Sequence, residues 1–263
     1  MFNHVQQILA AVLTLLFGVL AMSVARQLAS ERPDRAAAGW MLTAWCFTVV
    51  GTVAAAHALF AFVAWMAGPE SGVRAVYDAW TGPANFARIM VVLVYAGLLV
   101  LAMLVRRRRA TRLAVRSPVL LAGTLVMAMA AAYADGQLEG HRGVAALGVL
   151  GAATAMVLMG ALLAAVVNDG LDQLLWFALA AYALKEVIST SLLAILVWGD
   201  MADQAVLMQA FRVFYWLSAA VMAGMSLLAM RRRSLAAAGR HVPALFERMH
   251  ALRTPAADWS AHR

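Results

Sequence analysis

Lys185 and Glu186 stand side by side within Leu174–Val197, LLWFALAAYALKEVISTSLLAILV, an apolar run long enough to cross a bilayer. Lys185 is the only lysine of the chain; every other side chain in the Lys+Arg count of 21 is an arginine. Charge at bilayer depth is costly, so such residues turn to the bundle interior and have partners or a task there. Both lie 12 to 14 residues from either end of a segment spanning Asp172–Trp198, ~18–21 Å along a helix and near the midplane. Consecutive helical residues point about 100° apart, so Lys185 and Glu186 are each expected to meet a different neighbour. Glu186 shares a helical stripe with Tyr182 and Ser189.

Other polar side chains fall inside apolar runs. Arg212 lies seven residues into a segment beginning near Ala205, ~10 Å deep, with Gln209 one turn before it and Tyr215 one turn after. His57 is nine residues from the end of Trp40–Met66, ~13 Å deep, and Tyr95 is six residues into Ile89–Val105. With alternating helix directions and the N-terminus outside, His57, Tyr95, Glu186, Gln209, Arg212 and Tyr215 share the outer half of the bundle, as a polar pocket open to or near the outer face. Together with Tyr182, Lys185 and Ser189 they form the candidate ligand site or buried polar cluster. The plainer alternative is a Glu186–Arg212 ion pair, Lys185 held by backbone carbonyls and His57 as a satisfied core histidine.

The helices that must position these groups are written in the composition. The 263 residues are 64% hydrophobic and 13% charged, against about 25% charged in a soluble domain. Seven apolar segments are expected: Val5–Ala25, Trp40–Met66, Ile89–Val105, Pro118–Ala134, Val144–Val167, Asp172–Trp198 and Ala205–Met230. The fold class is therefore all-α, a polytopic seven-helix membrane protein. A bundle over 1–233 precedes a basic tail, 234–263, with a short amphipathic helix at Val242, Leu245, Phe246, Met249 and Leu252.

The first segment reads as a retained helix rather than a signal peptide, because MFNH carries no Lys or Arg before the run. Pro33 breaks the helix between the first two segments. Gly68–Arg88, punctuated by Pro69, Gly72, Gly82 and Pro83, reads as the longest loop, with a short surface helix at VRAVYDAW. Trp40 and Trp65 read as interface anchors, Pro118 as a first-turn proline, and no proline is expected inside a segment. Gly148/Ala152, Gly151/Ala155 and Gly160/Ala164 allow close helix approach, within one subunit before a dimer interface. Cys46, the only cysteine, is a packing residue.

Charge sets the expected orientation. Arg26, Arg32 and Arg35 follow the first segment, Arg106–Arg109 with Arg112 and Arg116 the third, and Arg231–Arg233 the seventh. The opposite loops carry only Arg74, Arg88 and Arg142. Positive residues stay in the cytoplasm, which gives the N-terminus outside and the C-terminus inside, in a membrane of the bacterial inner (plasma) type. Arg106–Arg109 and Arg231–Arg233 would meet anionic lipid headgroups. Other membrane subunits or a homo-oligomer are further partners; nucleic acid is not, since no aromatic-rich soluble module accompanies the basic runs.

Several chemistries lack their residues. Only His57 is an embedded histidine, so axial haem ligation on two facing helices is not expected, and no metal site is assigned. H-E-x-x-H, G-x-S-x-G and the Walker A pattern are absent, no cofactor is named and the protein is not expected to be an enzyme. Lys185 is chemically suited to a retinal Schiff base, though it lies in the sixth segment. The leading expectation is a non-enzymatic receptor-like or accessory subunit binding a small or lipid-like ligand, or a partner helix. A proton- or ion-coupled transporter or energy-converting subunit using Lys185 and Glu186 is the second, and a purely structural subunit of a larger assembly the third.

Overall fold

The computed structural model of the protein describes residues 2–31, 35–135, 140–167, 171–198 and 204–253. Among the described residues there are seven helices and no strand: α1 (Phe2–Glu31), α2 (Arg35–Ala67), α3 (Gly72–Leu104), α4 (Arg107–Asp135), α5 (Gly140–Val167), α6 (Gln173–Trp198) and α7 (Gln204–Arg253). Each contains a stretch long and apolar enough to cross a membrane, the make-up of an integral membrane bundle. The helix number agrees with the sequence reading; several boundaries do not.

The largest difference is at Gly68–Arg88, expected as a loop. Only a short turn interrupts the helices there: Gly68 leaves α2 at φ 91°, and Ser71 caps α3 by accepting the Arg74 backbone N–H at 3.2 Å. From Gly72 the helix runs unbroken through Pro83 to Leu104. A proline inside a helix forfeits one backbone bond, yet membrane helices carry it where the surrounding bundle compensates.

The arginine run before segment four is helical too, because α4 starts at Arg107 and holds Pro118 in its interior. Pro118 has no N–H for the Ala114 carbonyl four residues earlier, and the neighbouring Ser117 hydroxyl donates to that carbonyl at 2.7 Å. The hydroxyl replaces the missing donor, so the helix is not broken. Similarly, α7 does not stop at Arg231–Arg233 but continues to Arg253, with the expected tail helix as its extension.

α1 packs on α2 and α7, α2 on α3, α3 on α5, α5 on α6 and α6 on α7, so six helices close a ring. α4 stands beside it against α2 and α3. Phe47 on α2 is the hub: its ring meets Phe17 of α1 at 4.9 Å, Tyr182 of α6 at 5.0 Å and Tyr95 of α3 at 5.9 Å, all edge-on. Trp40, expected at the interface, is instead fully buried in this core, as is Cys46. Arg35 ties the start of α2 to the end of α3 by donating to the Val105 carbonyl at 3.0 Å.

α1 and α2 approach most closely where glycines face backbone. A Cβ on Gly18 would lie 2.5 Å from the Thr48 nitrogen, and one on Gly51 would lie 2.7 Å from the Leu15 Cα. Gly151 similarly admits Thr190 of α6, whose Oγ1 would sit 2.8 Å from an added Cβ. Gly160 meets nothing and borders a groove of about 480 Å³ on the outer face of α5 and α6, with Ala155, Met156, Leu163 and Val187. The small residues of α5 therefore serve contact within the chain at Gly151 and leave an open surface at Gly160.

Candidate functional site

Lys185 and Glu186 are turned into the bundle, with relative exposures of 6% and 8%. Leu184 and Val187 on either side are exposed on the outer surface, so α6 presents an apolar face outward and its charges inward. The expectation that each charge meets a different neighbour is corrected. Lys185 Nζ donates directly to Glu186 Oε1. Both side chains have several rotatable bonds, and attraction between unlike charges grows as water is excluded. They bend together across the angle that separates their Cα–Cβ bonds.

Neighbouring helices complete the surroundings. The Lys185 ammonium lies 4.4 Å from the centre of the Tyr182 ring and 5.1 Å from that of Tyr215 on α7. A desolvated cation over aromatic faces gains about 2 kcal/mol. Glu186 Oε2 faces α5, 4.0 Å from where a Cβ on Gly151 would stand.

Tyr215 carries the network to α3. Arg88 donates through Nη2 to the Tyr215 hydroxyl at 2.6 Å, and its guanidinium carbon lies 5.9 Å from that ring's centre. Arg88 Nη1 reaches Asn85 Oδ1 at 3.5 Å, while Nε is buried without a hydrogen-bond partner among the described residues. Arg88 thus joins the site from a position the sequence reading assigned to a loop. The available signal was its spacing: Tyr77, Thr81, Asn85 and Arg88 follow at four, four and three residues, one face of a helix. That polar stripe begins at the α2–α3 end, where the Tyr77 hydroxyl and His57 Nε2 are 3.3 Å apart.

The nine expected residues divide accordingly. Tyr182, Lys185, Glu186 and Tyr215 come together, and Ser189 is buried one turn further along α6, with its Oγ unpartnered among the described residues. His57 packs with Tyr77 at the end of the α3 stripe rather than against the pair. Tyr95 is fully buried in the apolar core, bonded to the Thr43 hydroxyl at 2.8 Å and separated from Tyr182 by Phe47. Gln209 is exposed. The side chain of Arg212 lies outside the described residues, so the Glu186–Arg212 pairing has no geometry here.

This arrangement can hold a polar or charged group by charge-assisted hydrogen bonds and aromatic contact in a low-dielectric setting. No group of three or more His, Cys, Asp or Glu side chains suited to a metal occurs among the described residues. No protein-family model, curated protein or solved structure matches the chain.

Proposed function

We propose that the protein is a non-enzymatic, receptor-like or accessory membrane subunit that binds a small or lipid-like ligand, or a partner's helix, at the Arg88–Tyr215–Lys185–Glu186 site. The observation that carries this reading is a buried ion pair on α6 roofed by Tyr215, itself held by a second cation on α3. A buried pair needs no such company for stability alone, since well-packed apolar residues serve a core at least as well. Polar groups retained at membrane depth from three helices mark a place where something polar is received.

In this reading the N-terminus is outside, the C-terminus is cytoplasmic and the membrane is a bacterial inner membrane. The arginine-rich start of α4 and Arg231–Arg233 within α7 then lie at the cytoplasmic surface, where they meet anionic headgroups or dock a partner. Protease digestion of sealed, right-side-out vesicles checks the orientation: the α7 extension is protected, and its removal would reverse the assignment. The binding reading is tested by purification in mild detergent and mass spectrometry of everything retained, protein and small molecule. The native protein is expected to retain a component that a Lys185→Met/Glu186→Leu double variant loses. Identical retained material from two folded proteins would refute it.

A further inference from the structure

The charges at this site do not balance. Among the described side chains gathered there, Arg88 and Lys185 are positive and Glu186 alone is negative, and Glu186 is engaged by Lys185. Arg88 is left with a phenol and an amide as partners, both neutral, and with a buried, unmatched Nε–H. A guanidinium is always charged and presents its donors as a rigid fork matched to a planar oxyanion. Arg88 is half-buried; a cation without a counter-charge is costly where water is restricted, and its covered, unpartnered donor adds to that cost.

We infer that the ligand of this site is an organic carboxylate, free or as the headgroup of an amphiphile, received by the buried, unpartnered Nε–H edge of Arg88. The inference rests on the binding reading above and adds the sign and shape of the charge. A carboxylate oxygen on Nε gives the guanidinium its counter-charge, and the Tyr215 hydroxyl, already on Nη2, stands at the same edge to orient it. Lys185, across the Tyr215 ring, remains paired with Glu186. A cationic ligand would meet the uncompensated charge of Arg88; a neutral one would leave Arg88 as it stands.

The test is thermal unfolding of the purified full-length protein in a neutral detergent, with sub-micellar laurate, dodecanol, dodecylamine or acetate added. Laurate is expected to raise the melting temperature in a saturable way, while dodecanol and dodecylamine do not. An equal effect of acetate also supports the inference and assigns the source to a small free carboxylate; an effect of laurate alone assigns it to an amphiphile. Arg88→Gln is expected to raise the half-saturating laurate concentration at least tenfold, equivalent to ~1.4 kcal/mol of binding free energy. Where Arg88→Gln does not fold, Arg88→Lys serves, because it keeps the charge and loses the planar edge; it too is expected to weaken laurate.

Stabilisation by dodecanol or dodecylamine as strong as by laurate, lost in Tyr215→Leu, would overturn the carboxylate assignment and leave the binding reading standing. An unchanged laurate effect in a folded Arg88 variant would also overturn the assignment. If none of the four probes shifts the melt and nothing is retained on purification, both readings fall.

Discussion

Two cations share one ring at Tyr215. Lys185 lies over its face, while Arg88 binds its hydroxyl. Tyr215→Phe keeps the face and removes the acceptor, so it should cost about 1.5–3 kcal/mol, the range for a hydrogen bond to a charged group. Tyr215→Leu removes both interactions and should cost more; denaturant titration of the folded bundle gives both values. Asp78→Asn is the control. Its pair with Arg74 at 3.0 Å is exposed on both sides, so its loss should stay below about 1 kcal/mol. Equal costs at Tyr215 and Asp78 would show that Tyr215 is not a joint between helices.

The residue types of this site were legible in the sequence, and part of their geometry was not. Lys185 and Glu186 stand out because charge inside an apolar run has few innocent explanations. That they would pair was hidden, because helical angle is a property of Cα–Cβ bonds and long side chains reach around it. Arg88 was missed because Gly82 and Pro83 look like loop punctuation and the apolar run after it is long enough to count as a helix by itself. Tyr95 and Tyr215 are equivalent in sequence, tyrosines inside apolar runs, yet the first is bonded to Thr43 within the apolar core and the second faces two cations.

At the scale of elements, helix number followed from hydropathy and helix ends did not. Proline is a natural helix boundary in sequence, but Pro118 is accommodated by the Ser117 hydroxyl and Pro83 within an already long α3. The tightest helix contact escaped the sequence reading as well. Small-residue spacing drew attention to α5, whereas Gly18 and Gly51, on different helices, bring the α1 and α2 backbones together. Pairs across helices leave no periodic trace in one segment. Gly18→Ala and Gly51→Ala should therefore destabilise the bundle, since the new methyl meets backbone that cannot move aside. Gly97→Ala and Gly123→Ala, which meet nothing, should be neutral or stabilising by up to ~1 kcal/mol through helix propensity. Melting temperatures of the four variants check this contrast, and a common effect in all four would contradict it.

For the whole molecule, the ring of six helices around Phe47 divides the interior into unlike parts. One is apolar and aromatic, built on Phe17, Phe47 and Tyr95; the other is polar, running along the α3 stripe to Arg88, Tyr215 and the α6 pair. The aromatic part meets the polar one through the contact between Phe47 and Tyr182. Everything proposed for function depends on Lys185 and Glu186 being a buried, mutually dependent pair inside this bundle. A double-mutant cycle measures that dependence. Lys185→Met and Glu186→Gln should each cost about 3–5 kcal/mol by stranding the other charge, and the double variant should cost much less than their sum. Small and additive losses in the two single variants would contradict the account.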